Sequence, residues 1–410
     1  MRWASAYSSN PVFELAVREV SDLVARELDE GEPHLAVAFV SPHHAEHYNE
    51  IPKLISARFP RSVLIGCSAN GVIGGGHEVE QHPGFSLTAA SLRAVAIHPF
   101  TLRQTQLPED AADLERWRAL VGAPQSPNVH FLLLADPFTF DPSSLLIGLD
   151  AAFPNSRKIG GLASGGSGPG SNTLFVGSHI HRGGAVGVGL SGNIAVDTIV
   201  AQGCRSIGVP MIITQCQNNL VQELDGRPPL AILQEVHETL PERDQELFRT
   251  SLFVGLEMKS DEVEFHPGDF LVRNIVGLDP QRGAIAIGGL PKQWQVLQFL
   301  LRDSQTATED LRRLLARYRG ERAGAKPRGA LLFSCLGRGV HLFGQPDHDT
   351  GLFQESLGPV PLGGFFCNGE IGPVGRMTFL HGYTSAFALF REAESPGGDN
   401  NSDQSAAKLV

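Results

Sequence analysis

The sequence predicts an α/β protein of two domains, in which duplicated strand-helix-strand units with glycine-rich loops surround mixed β-sheets. Three observations predict it. Apolar runs of strand length alternate with stretches of helical period. Glycine supplies 46 of the 410 residues and clusters after the strand-like runs, where tight turns or close backbone approach need it. Finally, one passage of sequence recurs along the chain.

Pro11 to Leu28 has helical periodicity, with Phe13, Val17, Val20, Leu23 and Val24 on one face and Ser9-Asn10 ahead of it as a start signal. Gly31 and Pro33 stop it. Leu35 to Val40 is a continuous β-type run ended by Ser41-Pro42. His43 to Ala57 reads as a second helix, Val63 to Ile65 as a buried strand, and Gly66 to Gly76 as a glycine loop. Strands follow at 85–92 and 94–99.

The passage that begins at Ala57 is then repeated. At a constant offset of 94 residues, ten of the twenty positions from Ala57 to Gly76 are identical, including Phe59, Pro60, Ile65, Gly66 and Ala69. The loops Gly66–Gly76 and Gly160–Gly170 are therefore expected to be equivalent strand-to-loop turns. A third copy lies at offset 298, where Gly364 to Gly372 shares the glycines, the Asn and the Ile. That period is too long for a solenoid and fits duplicated α/β units.

Residues 1–32 read as a helical lead-in, 33–225 and 226–392 as two α/β domains, and 393–410 as a disordered tail rich in Gly, Asn, Ser and Asp. The junction falls at the Asp225-Gly226 turn and the Pro228-Pro229 pair, with a helix over 230–239. Arg317 to Arg328, basic and poor in apolar residues, reads as a second, exposed break.

Composition excludes several classes. Hydrophobic residues make up 42% and charged residues 19%, which argues against global disorder. Acidic residues outnumber basic ones, 44 to 33, so the net charge of −11 speaks against nucleic acid or an anionic membrane as partner. No apolar run approaches the roughly 20 residues of a membrane span, and no signal peptide is evident. Five cysteines without CxxC spacing signal neither disulfides nor a zinc ribbon. A cytoplasmic location is expected.

Several motifs carry weaker signals. Gly187-Val-Gly-Leu-Ser-Gly192 matches GxGxxG, but it runs into an alternating, β-branched stretch and reads as a hairpin, so no dinucleotide and no other cofactor is expected. His43, His44 and His47, with Asp347-His-Asp349, have metal-ligand residue types without a matching ligand set, and no metal is expected. Cys67 and Ser68 sit after a strand in a glycine turn, loosely like a nucleophile elbow. The most informative cluster is C-terminal: Arg338 stands between glycines after a buried strand, and Glu370 lies in a glycine-rich turn. Such charges beside strand ends suit a ligand pocket, and equally a structural ion pair with each other.

These residues carry a resemblance. Gly66-Cys-Ser-Ala-Asn-Gly-Val-Ile-Gly74, with Phe333-Ser-Cys335, Arg338-Gly339, Gly364-Phe365, Asn368-Gly-Glu-Ile-Gly372 and His381-Gly-Tyr-Thr384, resembles the paired FIST N-terminal and FIST C-terminal domains over about 33–390. The resemblance implies a sensory, signal-transduction module that binds a small molecule, with amino acids suggested as ligands. It transfers no catalytic residue. From their residue types and places, Cys67, Ser68, Asn70, Ser164, Arg338, Asn368, Glu370, His381 and Thr384 are the expected ligand contacts. The ligand is expected to be a small zwitterion or carboxylate held by Arg338 and Glu370. No kinase, cyclase, chemotaxis or F-box segment accompanies the resemblance, so the output is expected through an unidentified signalling protein. A hydrolase or transferase using Cys67 or Ser68, and a protein-interaction scaffold, stand as the alternatives.

Overall fold

In the computed structural model, which describes residues 1–29, 31–124, 126, 128–258, 265, 268–322, 324 and 326–393, every residue of Leu35–Val40 is buried. A strand covered on both faces reads as an unbroken apolar run, which is why the sequence shows no alternation there. The first unit is β1 (Arg2–Ser8), α1 (Phe13–Glu27), β2 (Leu35–Val40), a 3-10 helix (Pro42–Glu50), α2 (Ile51–Arg58), β3 (Val63–Ser68), the hairpin β4 (Gly71–Gly74) and β5 (His77–Glu80), and β6 (Phe85–Ser91). The second repeats this order as β7 (Val95–Leu102), α3 (Leu114–Val121), β8 (Val129–Ala135), α4 (Pro142–Ala152), β9 (Lys158–Leu162), the hairpin β10 (Leu174–Val176) and β11 (His179–His181), and β12 (Ala185–Gly192).

The third unit opens with β13 (Ala195–Gln202) and then admits an insertion: β14 (Cys204–Gln217), β15 (Leu220–Leu224), α5 (Pro229–Thr239), α6 (Glu242–Thr250), β16 (Leu252–Glu257), β17 (Phe270–Asp279), β18 (Ala284–Ile287) and β19 (Val296–Arg302). It resumes as α7 (Ser304–Glu321), β20 (Gly329–Cys335), α8 (Gly339–Phe343), α9 (His348–Leu357), β21 (Leu362–Cys367), the hairpin β22 (Glu370–Val374) and β23 (Met377–His381), and β24 (Thr384–Arg391). No helix among the described residues is long and apolar enough to cross a membrane.

The units form three six-stranded sheets of one topology, β1-β6-β2-β3-β10-β11, β7-β12-β8-β9-β22-β23 and β13-β24-β20-β21-β4-β5. In each, the pair that follows the helix crossover is parallel and the other pairs are antiparallel. The last two strands of every sheet are a hairpin that another unit donates. The repeated glycine marks the parallel pair. A Cβ at Gly66 would stand 1.9 Å from the Ala38 carbonyl oxygen, at Gly160 1.8 Å from that of Leu133, and at Gly364 1.9 Å from that of Leu332. Only glycine lets these strands approach.

The expected glycine loops are therefore mostly strands. Gly71–Gly74 and Glu370–Val374 are hairpin arms, because Ile73 and Ile371 are buried against Gly364 and Gly160 of the recipient sheets. The second copy diverges after Ala163 and reaches its hairpin only at Leu174. Gly165, Gly168 and Gly170 thus match Gly71, Gly74 and Gly76 in sequence but not in structure. The helix expected over His43–Ala57 is a 3-10 helix followed by α2, which Pro52 opens because it lacks an N–H to donate. The break expected at Arg317 begins as the last turn of α7, which Leu311, Leu315 and Tyr318 carry on by burying one face. Gly187–Gly192 lies within β12 and continues through a turn into β13.

The inner faces of the three sheets meet in one core, where Phe39 stacks on Phe365 at 4.4 Å and Phe333 meets Phe365 edge-on. The outer faces are covered by α1 and α2, by α3 and α4, and by α7 and α9. The insertion closes as a six-stranded barrel with a core of its own. Pairing crosses residue 225 repeatedly: β4 joins β21, β22 joins β9, and the barrel begins at Cys204.

Gly364→Ala should lower the stability of the protein by about 3 kcal/mol or more, the upper end of overpacking, because backbone rather than a flexible side chain blocks the methyl group. Gly168→Ala, where open space surrounds the position, should stay within about 0.5 kcal/mol. Urea denaturation of both variants distinguishes the two positions.

Candidate functional site

The expected ligand residues fall into two groups. Ser68, Asn70, Ser164 and Asn368 lie where β3, β9 and β21 end, and they clasp one another. The Ser164 hydroxyl accepts from the Asn70 N–H at 3.0 Å and donates to the Phe366 carbonyl. The Ser164 N–H donates to the Ser68 carbonyl, and the Asn368 N–H to that of Leu162. Ser68 Oγ donates to Asn172 Oδ1 at 3.3 Å and accepts from the Thr173 N–H at 2.9 Å. Asn172 in turn donates to Asp136, which also takes the Thr139 hydroxyl.

This corrects the nucleophile reading of that loop. No histidine or lysine among the described residues bonds Ser68 Oγ, so no base is placed to activate it. Cys67 points into the central core without solvent access, and burial pushes its thiol well above the ordinary range. A reactive cysteine needs the opposite shift.

The second group sits at the end of β20, where the third unit meets the barrel. Arg338 is fully buried and is held in bidentate fashion by Asp349, Nε to Oδ2 at 2.8 Å and Nη2 to Oδ1 at 2.9 Å. Asp349 also contacts His348 Nδ1 at 2.9 Å and accepts from the Ser385 hydroxyl. Burial pushes its carboxyl up, but the Arg338 charge and these bonds outweigh burial and hold it below the usual carboxylate range. The alternative of an Arg338–Glu370 ion pair is therefore not formed: Asp349, at the N-terminal turn of α9, takes the guanidinium fork. The Asp347-His-Asp349 stretch was the available signal, and its residue types suggested metal ligands instead.

Glu370 is buried with Oε2 accepting from the Thr384 N–H at 3.1 Å and its hydroxyl at 2.8 Å. Burial outweighs both bonds and pushes the carboxyl up to about 8, so it is neutral at pH 7. The Cys335 thiol beside it is driven to about 12 by burial and by Glu370. His381 bonds the Gly372 carbonyl through Nε2 at 2.9 Å, and burial lowers it to about 4. Glu78, from the donated hairpin β4–β5, accepts from the Asp349 and Thr350 N–H groups and is raised to about 8 by burial and by Asp349.

Several buried groups here lack partners. Arg302 Nε, Arg338 Nη1, Thr350 Oγ1 and His381 Nδ1 make no hydrogen bond, and Glu370 Oε1 receives no N–H or O–H. Buried polar groups are paired in the great majority of cases, so such a concentration marks a functional or strained place. Tyr383 adds strain: it adopts φ +65°, uncommon for a bulky residue, with its ring under the Arg302 guanidinium at 4.9 Å.

A cavity of about 380 Å³ opens between the barrel and the third unit, lined by Gln202, Cys204, Phe270, Gln298, Leu300 and Asp310 among others. Gly203 separates it from the charged cluster. A Cβ at Gly203 would stand 3.2 Å from Arg338 Nη1, so the free donor lies one layer of main chain behind the cavity wall. Gln202, Gln298 and Cys204 were not foreseen as site residues.

Comparison with known proteins places this geometry. The FIST N domain matches residues 34–227 and the FIST C domain residues 231–373. An uncharacterised protein of Mycobacterium tuberculosis is 37% identical over 95% of this chain and 100% of its own length. An uncharacterised protein of Mycobacterium bovis is 35% identical over 95% of this chain and 99% of its own. Among solved structures, a cyanuric acid hydrolase from A. caulinodans aligns over 49% of this chain and 72% of its own at 11% identity, with a TM-score of 0.27.

Two outcomes test the cluster. Arg338→Ala and Asp349→Asn should each cost about 3–5 kcal/mol, as breaking a buried pair does, and the double variant should cost less than their sum. A near-neutral Arg338→Ala would remove the structural pairing. Glu370 keeps a proton in the native state that the unfolded chain releases above about pH 4.5. Its contribution is therefore fully present below that pH and is lost as pH rises toward about 8, with a slope of about 1.4 kcal/mol per pH unit at most. Glu370→Gln should remove this slope, so its stability relative to the parent should rise between pH 5 and 8 in paired denaturation curves.

Proposed function

This chain belongs to the FIST family, whose domains are associated with sensory roles in signal transduction, and from that premise we propose that it is a sensor that binds one small molecule where the inserted barrel meets the third unit. The carrying observation is the cavity of about 380 Å³ at that joint, within the size range of small-ligand sites. One amino acid or small carboxylate fits that volume, and the proposed output passes to a signalling protein in the cytoplasm.

The physical logic is that of a joint. The cavity wall belongs partly to the barrel, through Cys204, Gln298 and Leu300, and partly to the core, through Gln202 and Asp310. A ligand seated there contacts both bodies, so it favours one relative placement of them in proportion to its differential affinity. Polar bridges cross the joint: the Arg302 guanidinium donates to the Gly337 carbonyl, Arg205 donates to Asp303, Gln202 Nε2 donates to the Phe270 carbonyl at 2.8 Å, Arg273 Nη2 donates to the Leu380 carbonyl at 3.2 Å and Arg243 Nη1 donates to Gln305 at 3.5 Å. The strained Tyr383 and the unpaired donor of Arg338 lie directly behind the wall. No observation favours the hydrolase or transferase alternative, because Cys67 is sealed and Ser68 has no base.

A thermal-shift screen with amino acids and small carboxylates tests this reading. A ligand at 100 times its dissociation constant should stabilise the protein by about 2.7 kcal/mol. Ser206→Trp, at an exposed position on the cavity rim, should block that gain without unsettling the core. The ligand should be recovered unchanged. Consumption of the ligand would make the protein an enzyme, and a gain indifferent to Ser206→Trp would move the site elsewhere.

A further inference from the structure

Gln202 and Gln298 line the cavity, yet their side chains are more than nine-tenths buried, at 6% and 1% exposure. Their amide nitrogens are fixed by main-chain carbonyls. Gln202 Nε2 donates to the Phe270 carbonyl at 2.8 Å, and Gln298 Nε2 donates to Ile207 at 2.6 Å and Phe299 at 3.1 Å. Those bonds orient both amides, because a flipped amide would set oxygen against oxygen. Among the described residues, nothing donates to either Oε1, which leaves an unused acceptor on each of two side chains that line the cavity.

Asp310 adds a carboxylate to the same lining. Its Oδ2 takes the Gln202 N–H at 2.9 Å and its Oδ1 the Arg313 guanidinium at 2.7 Å, which leaves each oxygen a second lone pair. The cation in the lining, Arg205, is already engaged by Asp303 and Asp244. Cys204, with its thiol pushed up to about 12 by burial, stays neutral. Phe270 supplies an apolar part of the wall.

Oriented acceptors lining a partly enclosed pocket call for donors on the ligand. We infer that this cavity selects a small ligand through N–H donors, an amine, amidine or guanidine group seated between Gln202 Oε1, Gln298 Oε1 and Asp310. This rests on the cavity being the ligand site, and of the ligands that fit it by volume it selects those with an amine end, an amino acid included, over a small carboxylate without one. A lone carboxylate in the same place would meet two fixed amide oxygens and the Asp310 carboxylate, an arrangement that repels it.

Matched probes of similar shape and opposite chemistry test it: benzylamine, benzamidine and agmatine against benzoate and glutarate, titrated calorimetrically into the full-length protein. The N–H compounds are expected to bind, and the carboxylates are not. Ser206→Trp should abolish amine binding, and Gln298→Met, which keeps the side-chain length and removes the acceptor, should weaken it at least tenfold. Gln202→Met provides the same test should Gln298→Met fail to fold. Carboxylate binding that Ser206→Trp blocks, without amine binding, would overturn the donor inference and leave the cavity as the ligand site. Amine binding unchanged in Ser206→Trp, or absence of binding by every probe, would overturn it as well, the latter together with the site.

Discussion

The hairpin β4–β5 leaves the sheet of its own unit and pairs with β21, and the hairpins β10–β11 and β22–β23 pair in the same way with β3 and β9. The exchange runs as a closed ring: first unit to third, third to second, second to first. Each hairpin covers a strand edge whose N–H and C=O groups would otherwise stand open for pairing with another chain. No unit completes its own sheet, so the three units depend on one another to fold. The glycines at 66, 160 and 364 make the ring possible, because each lets a parallel pair draw together at the position that then receives the foreign strand.

The same ring also builds the charged corner. At the end of the first parallel strand, Ser41 Oγ accepts from the Gly84 N–H; in the second unit Thr139 Oγ1 accepts from Gly184. In the third unit the Cys335 thiol takes this part, accepting from the Tyr383 N–H. Around that one joint alone stand Arg338, Asp349 and Glu370, and beside it the barrel is inserted. The first unit's hairpin reaches in to cap α9 through Glu78, so the helix that carries Asp349 depends on a segment 271 residues away. A buried ion pair of this kind is costly to desolvate and adds little stability over an apolar core. It persists where geometry matters more than stability, and here it backs the cavity wall.

Part of the site was legible in the sequence. Arg338 and Glu370 stood out as lone charges in glycine-rich surroundings, and both lie buried in the same corner. Their partners were not legible. Asp349 reaches Arg338 only because α8 and the turn after it fold the chain back, and Thr384 meets Glu370 only because β22 and β24 come from opposite ends of a hairpin excursion. Gln202 and Gln298 carry no sequence mark, since a glutamine in a strand becomes a ligand group only when burial and a carbonyl fix its amide. Cys67 and Ser68 illustrate the reverse error: residue types with reactive reputations, placed by the register of β3 against the core and against Asn172.

Local chemistry written along the chain was enough to specify strands, helices, the recurring unit and its glycines, because periodicity and steric demand are properties of short segments. The identity of α2 as a new helix, and of the glycine runs as hairpin arms rather than loops, was a tertiary outcome. Gly71–Gly74 has no alternation to announce a strand, and it becomes one only when β21 offers it an edge. The sheet to which each hairpin belongs, the partner of each buried charge and the cavity at the barrel joint were likewise decided by tertiary structure alone. The sheets and the cavity depend on surfaces brought together from segments about 100 to 300 residues apart, and no local preference encodes that distance; the buried charges find partners only 11 and 14 residues away, but through chain reversals that the packing of α8, α9 and the hairpin sets.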